Sequence, residues 1–102
     1  MIHVIATIQL RPGTRERFLE EFHGIVPDVR AEAGCIEYGP AVNLATGISA
    51  QADVDENAVT VIEKWESVGH LEQHLQAPHM LTYRERVKDL VTDTRIQILE
   101  PA

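Results

Sequence analysis

AVTVIEKWESVGHLEQHLQAPHM (residues 58–80) changes its apolar period part-way along. Over AVTVIEKW (58–65) the side chains alternate. Val59, Val61, Glu63 and Trp65 share one face, and Thr60, Ile62 and Lys64 the other, which is the pattern of a strand. Ser67 follows as an N-cap, and a helix is predicted over residues 68–77. Ala77-Pro78 interrupts it, because proline removes a backbone donor. A second helical stretch is predicted from 79 to 91, with Leu81, Val87, Leu90 and Val91 inward. TRIQILE (94–100) reads as a closing strand. This is the second half of a β-α-β-β-α-β chain.

The first half has the same grammar. IHVIATIQL (2–10) is rich in β-branched residues, with Ile2, Val4, Ala6, Ile8 and Leu10 on one face. RPG breaks it, and Thr14 is expected to cap a helix reaching about Ala33. Phe18, Leu19, Phe22, Ile25, Val26 and Val29 recur there at helical spacing. Pro27 is expected to kink this helix or end its first part, and Gly34 to cap its C-terminus. Cys35 to Leu44 reads as a strand broken or bulged near Gly39-Pro40, and 45–57 as a hairpin connection.

The expected fold is therefore α+β, a ferredoxin-like split β-α-β-β-α-β with both helices on one face of an antiparallel sheet. All 102 residues read as one domain, without repeat or linker. A chain this size buries only about 60–70 per cent of its unfolded surface. A second subunit's sheet is expected to cover the bare sheet face, giving a homodimer built as an α/β barrel.

Composition narrows the function. A net charge of −7, with few and dispersed Lys and Arg, argues against nucleic acid. No apolar run approaches the roughly 20 residues of a membrane span. MIHVIATIQLRPG lacks the features of a signal peptide, so a cytoplasmic location is expected. The single cysteine, Cys35, excludes an internal disulfide framework and has no cationic cluster or resolving partner for redox work.

Three of the five histidines, His70, His74 and His79, fall between residues 70 and 79. His70 and His74 stand at i, i+4, as in a zinc protease, but the residue after His70 is Leu71. Glu72 lies nearly opposite His70 on the helix, at roughly 100° per residue, so no metal is expected. The polar neighbours of His70 place it on a solvated face. His74, beside Leu75 and one turn before Pro78, is a candidate base, with His79 close behind it, because an imidazole titrates near neutrality, and a partly buried structural histidine is the alternative for both. Trp65, Tyr38 and Tyr83 read from their residue types as core or rim aromatics. Glu63 shares the strand face of Trp65, and if that face is inward it needs a partner or a task.

At these residues the chain resembles the antibiotic biosynthesis monooxygenase superfamily, and within it the small bacterial quinol monooxygenases. The stretches that carry the likeness are IATIQLRPG, IVPDVRAEAGCIEYGPAV, VIEKWESVGHLEQHLQAPHM and RIQILEP, which together span almost the whole chain. The resemblance implies a ferredoxin-like dimer with a pocket between helices and sheet. It also implies oxidation of a small aromatic quinol with O₂, without metal, flavin or haem. His74 and Trp65 match the family's pocket histidine and tryptophan, with His74 as the base and Trp65 stacking on the ring. Tyr38, Asn43, His79 and Tyr83 would contact the substrate. The family's small quinol monooxygenases carry a carboxylate where this chain has Asn43.

Other readings are weighed at this level. Some relatives on the fold isomerise small phosphorylated keto-sugars, for which Lys64, Arg84, Arg86 and Lys88 would have to bind phosphate. Haem degradation would need an axial histidine where the chain has Arg84. A non-enzymatic dimer that binds a small ligand is the alternative of a different class.

Overall fold

The computed structural model describes residues 1–102. The elements follow in the order β1 (Ile2–Leu10), α1 (Arg15–Arg30), β2 (Cys35–Ala41), β3 (Ala58–Trp65), α2 (Val68–Leu75), α3 (Pro78–Val87) and β4 (Val91–Leu99). The four strands form one sheet in the order β2-β3-β1-β4, and every neighbouring pair is antiparallel. Each β-α-β half therefore straddles a strand of the other, which is the split arrangement the sequence predicts.

The two central strands bury the faces the alternation assigns to the core. Val4, Ala6, Ile8 and Leu10 of β1 lie beneath the helices beside Val59, Val61, Glu63 and Trp65 of β3. From α1, Phe18, Phe22, Ile25, Val26 and Val29 pack onto them. Each such side chain contributes roughly 1.5–3 kcal/mol by leaving water.

Several boundaries differ from the sequence reading. Helix α1 runs unbroken through Pro27, whose exposed position leaves the carbonyl it cannot bond to solvent. Its C-cap is Ala31, three residues before Gly34. Thr14 stands at the N-cap, but its hydroxyl donates back to the Arg11 carbonyl at 2.8 Å. Strand β2 ends at Ala41, and its irregularity lies between Cys35 and Glu37 rather than at Gly39-Pro40. Pro40 is tolerated because β2 is an edge strand.

The second half is cut into shorter pieces than expected. Ser67 caps α2 by accepting from the His70 N–H, but α2 stops at Leu75. Pro78 opens α3 at its first turn, where its missing N–H costs nothing. Starting there turns Met80, Tyr83 and Val87 inward and leaves Leu81 exposed, against expectation. The helix ends at Val87, Leu90 is buried in the turn, and Val91 already belongs to β4.

Gly34 is what lets α2 close over the end of α1. Its φ of +79° suits glycine, and a Cβ there would lie 2.3 Å from the His70 ring. The Glu66 N–H donates to the Gly34 carbonyl at 2.9 Å, fixing the start of α2 against the same turn. Gly47 has a similar φ of +77° but nothing within 4 Å of a Cβ. Gly47→Ala should therefore cost only the left-handed backbone term, about 1–2 kcal/mol. Gly34→Ala should cost clearly more in urea denaturation, and equal losses at the two sites would remove the packing argument.

Candidate functional site

A cavity of about 500 Å³ lies between the helices and the sheet, within the range of small-molecule sites. Ala6, Ile8 and Val61 of the sheet and Phe22 of α1 line it, with Met80 and Val87 of α3. On its exposed side stand Arg84, Lys88, Thr94 and Ile96. The polar groups inside are few: Tyr38, Glu63, His74 and Tyr83. Burial raises both phenol pKa values, so Tyr38 and Tyr83 stay protonated at neutral pH.

His74 reaches the cavity from α2 and is only 2% exposed. Its Nδ1 faces Glu32, 2.9 Å from Oε2 and 3.2 Å from Oε1. A carboxylate can only accept, so Nδ1 carries the proton and Nε2 keeps a free lone pair. The ring thus presents a basic nitrogen to the cavity. Burial lowers the His74 pKa and the hydrogen bond it donates to Glu32 partly opposes this, so the neutral imidazole is favoured.

Glu32 is the residue the sequence reading missed. It sits in the turn after α1, and the same Oε2 also accepts from His79 Nε2 at 2.7 Å. No local pattern signals it, because its partners lie 42 and 47 residues away. No group of three or more His, Cys, Asp or Glu side chains is arranged to hold a metal ion.

Trp65 is fully buried and is not part of the cavity lining. Its ring lies behind His74, with centroids 4.6 Å apart and planes tilted by 36°. Tyr38 meets His74 edge-on at 5.3 Å and stacks on Phe22 at 5.5 Å. Trp65 therefore holds the imidazole from behind instead of offering a face for a ligand to stack on. Its indole N–H donates to Glu63 Oε1 at 2.9 Å, which is the partner that Glu63 needed.

The remaining candidates fall in different places. Tyr38 and Tyr83 line the cavity as expected. His79 does not, since it reaches the cavity only through Glu32 and lines a separate surface depression with Glu20, Asp28 and Arg86. Asn43 lies in the exposed loop after β2, outside the lining, where its Oδ1 accepts from the Asp55 N–H at 3.0 Å. His70 bonds to Ser67 through Nδ1 at 2.7 Å and takes no part in the cavity. Cys35 is free, and burial raises its pKa, so it has no thiolate character. No helix is long and apolar enough to cross a membrane.

Comparison with known proteins gives this geometry a context. A family model described as antibiotic biosynthesis monooxygenase matches residues 1–86. The chain is 47% identical over 103 residues to YgiN of Escherichia coli strain K12, described as a probable quinol monooxygenase, covering 99% of this chain and 98% of that one. Among solved structures, PA3566 of Pseudomonas aeruginosa superposes with a TM-score of 0.82 at 28% identity, covering 99% of this chain and 93% of the other. Rv0793 of Mycobacterium tuberculosis superposes with a TM-score of 0.80 at 26% identity, covering 99% and 94%.

Glu63 is 5% exposed, and burial pushes its carboxyl up to about 7 against the pull of the Trp65 hydrogen bond. A raised carboxyl favours folding when protonated. Its contribution is fully present below the ordinary carboxyl value of about 4.3 and is lost as pH rises through about 7. Glu63→Gln should therefore gain thermal stability relative to the parent between pH 5 and pH 8. A Tm difference that stays flat across that window would contradict a buried, protonated Glu63.

Proposed function

The chain belongs to the antibiotic biosynthesis monooxygenase family and is a monooxygenase, and from that premise we propose that it oxidises a small aromatic quinol with O₂ and without metal, flavin or haem. The observation that carries the reading is the neutral His74 at the wall of an apolar cavity, with Nδ1 held by Glu32 and Nε2 free. Triplet O₂ does not react directly with a closed-shell molecule, so the organic partner must first give up an electron. A hydroquinone does this far more readily as its anion. The protein's task is then to bind a flat ring, take one phenolic proton and exclude water.

In this reading His74 Nε2 is the general base for the quinol hydroxyl. Glu32 fixes the tautomer and steadies the imidazolium that forms, as the third member of a catalytic triad does. His79, donating to the same oxygen, keeps Glu32 from turning away. Trp65 braces the imidazole, and Tyr38 and Tyr83 supply hydroxyl donors to the substrate's oxygens. The whole chain acts as one such domain, paired as a homodimer.

The test is oxygen uptake with 1,4-naphthoquinol, using protein treated with chelator. Uptake well above the spontaneous rate is expected. His74→Ala should lower it at least tenfold, about 1.4 kcal/mol of transition-state stabilisation. Glu32→Gln should also lower it at least tenfold, because the amide N–H₂ can face Nδ1 and reverse the tautomer. Uptake no faster than the buffer's would overturn the function, and uptake unchanged by both substitutions would take the His74–Glu32 pair out of the chemistry.

A further inference from the structure

One polar group in the cavity has no part in proton removal. Glu63 stands on β3 directly opposite Tyr38 of β2 and lines the same cavity as His74. Its Oε1 is taken by the Trp65 indole N–H, which leaves Oε2 for the cavity. A carboxyl placed in the centre of a sheet, with one donor and no cation beside it, is in the surroundings of a neutral acid. An apolar side chain there would leave the indole N–H without an acceptor, at a cost of about 1–3 kcal/mol. Hydrogen bonding to Trp65 alone would be served as well by glutamine, which has no proton to give.

We propose that Glu63 is the catalytic acid that protonates the substrate peroxide and later recovers the ring proton, so that oxygen is inserted rather than released as hydrogen peroxide. The proposal rests on the quinol-oxidising reading given above. The steps balance as follows, with a naphthoquinol carrying one open ring position. His74 takes a phenolic proton, and the anion transfers an electron to O₂. The semiquinone and superoxide combine, forming a carbon–oxygen bond and a peroxide anion. Glu63 gives its proton to the outer peroxide oxygen. The ring C–H proton then passes to the Glu63 carboxylate, the oxygen–oxygen bond breaks, a carbonyl forms, and hydroxide leaves. Hydroxide takes the proton from the His74 imidazolium and becomes water. The sum is quinol plus O₂ giving hydroxyquinone plus water, with both side chains restored.

Without the acid, the peroxide anion is left with the Tyr38 and Tyr83 phenols, which burial makes weaker acids still, and with the His74 imidazolium, whose proton is needed to neutralise the departing hydroxide. It then collapses by losing superoxide or hydroperoxide, and the quinol ends as the plain quinone. The division between hydroxyquinone and hydrogen peroxide therefore reports on Glu63, and a purely structural residue would not move it. The titratable groups around Glu63 are Tyr38 and Cys35 of β2, Glu32 of the α1–β2 turn and His74 of α2. Tyr83, Arg84 and Lys88 of α3 line the same cavity. Burial and the Glu32 charge raise the carboxyl to about 7, so the acid form is present at neutral pH and lost above it.

The experiment measures oxygen consumed, hydrogen peroxide released and 2-hydroxy-1,4-naphthoquinone formed from 1,4-naphthoquinol, for the parent and Glu63→Gln. Binding is followed separately by quenching of Trp65 fluorescence. The expected result is a fall in hydroxyquinone yield per O₂ of at least tenfold and a matching rise in hydrogen peroxide, a ratio that does not depend on how tightly the quinol binds. Glu63→Gln that forms hydroxyquinone at the parent's yield overturns the role of Glu63 and leaves the function standing. A parent that consumes no oxygen above the spontaneous rate overturns both. If the variant does not fold, the parent decides. Its hydroxyquinone yield per O₂ should fall as pH rises from 6 to 8.5, and a yield independent of pH overturns the proposal.

Discussion

The Glu32 carboxylate, accepting from His74 and His79 at one oxygen, ties together three parts of the chain. It comes from the turn that ends α1, His74 comes from α2, and His79 from the first turn of α3. The split between α2 and α3 at Pro78 makes this possible, because a single straight helix could not bring both rings to one point. Gly34, with its positive φ and its bare Cα under His70, sets how closely α2 approaches that turn. The direction of the His74 lone pair into the cavity is thus a consequence of backbone features well outside the cavity.

Much of the fold is legible in the sequence because two periods alternate along it. The core faces of β1 and β3 follow from simple alternation, and the buried side of α1 from its spacing of Phe18, Phe22, Ile25 and Val29. What sequence spacing does not carry is register and phase. The irregularity between Cys35 and Glu37 arises from pairing with β3, not from Gly39-Pro40. The phase of α3 is reset by Pro78 at its start, which is why Leu81 points outward. The site was legible to the same extent. His74 and Glu63 stand out as polar residues on apolar faces, whereas Glu32 looks like any exposed turn acid until the tertiary fold brings α2 down on it.

Trp65 reads from its residue type as a core or rim aromatic, and the structure puts it in the core, where the stacking role implied by the resemblance has no open face. A tryptophan at a strand end, ahead of a capped helix, fits a ring-stacking surface as well as a brace. Burial decides between them, since the indole is closed off behind His74 and Tyr38. Its polar atom then fixes Glu63, so one aromatic side chain orients both Glu63 and His74. A buried indole N–H and a buried carboxyl satisfy each other, and neither can be replaced alone without leaving a polar group unpaired.

Two glutamates thereby acquire different chemistry from their surroundings alone. Glu32 is partly exposed and has two ring N–H donors, the surroundings of an acceptor that orients a base. Glu63 is buried among apolar side chains with a single neutral donor, the surroundings of an acid that keeps its proton. The same burial that raises Glu63 lowers His74, so each shift favours the uncharged form. The fixed charges of the cavity lining, Arg84 and Lys88, stand at its exposed side. Any proton transferred between two uncharged groups would create charge in a low dielectric, where a nearby donor or acceptor has the most effect.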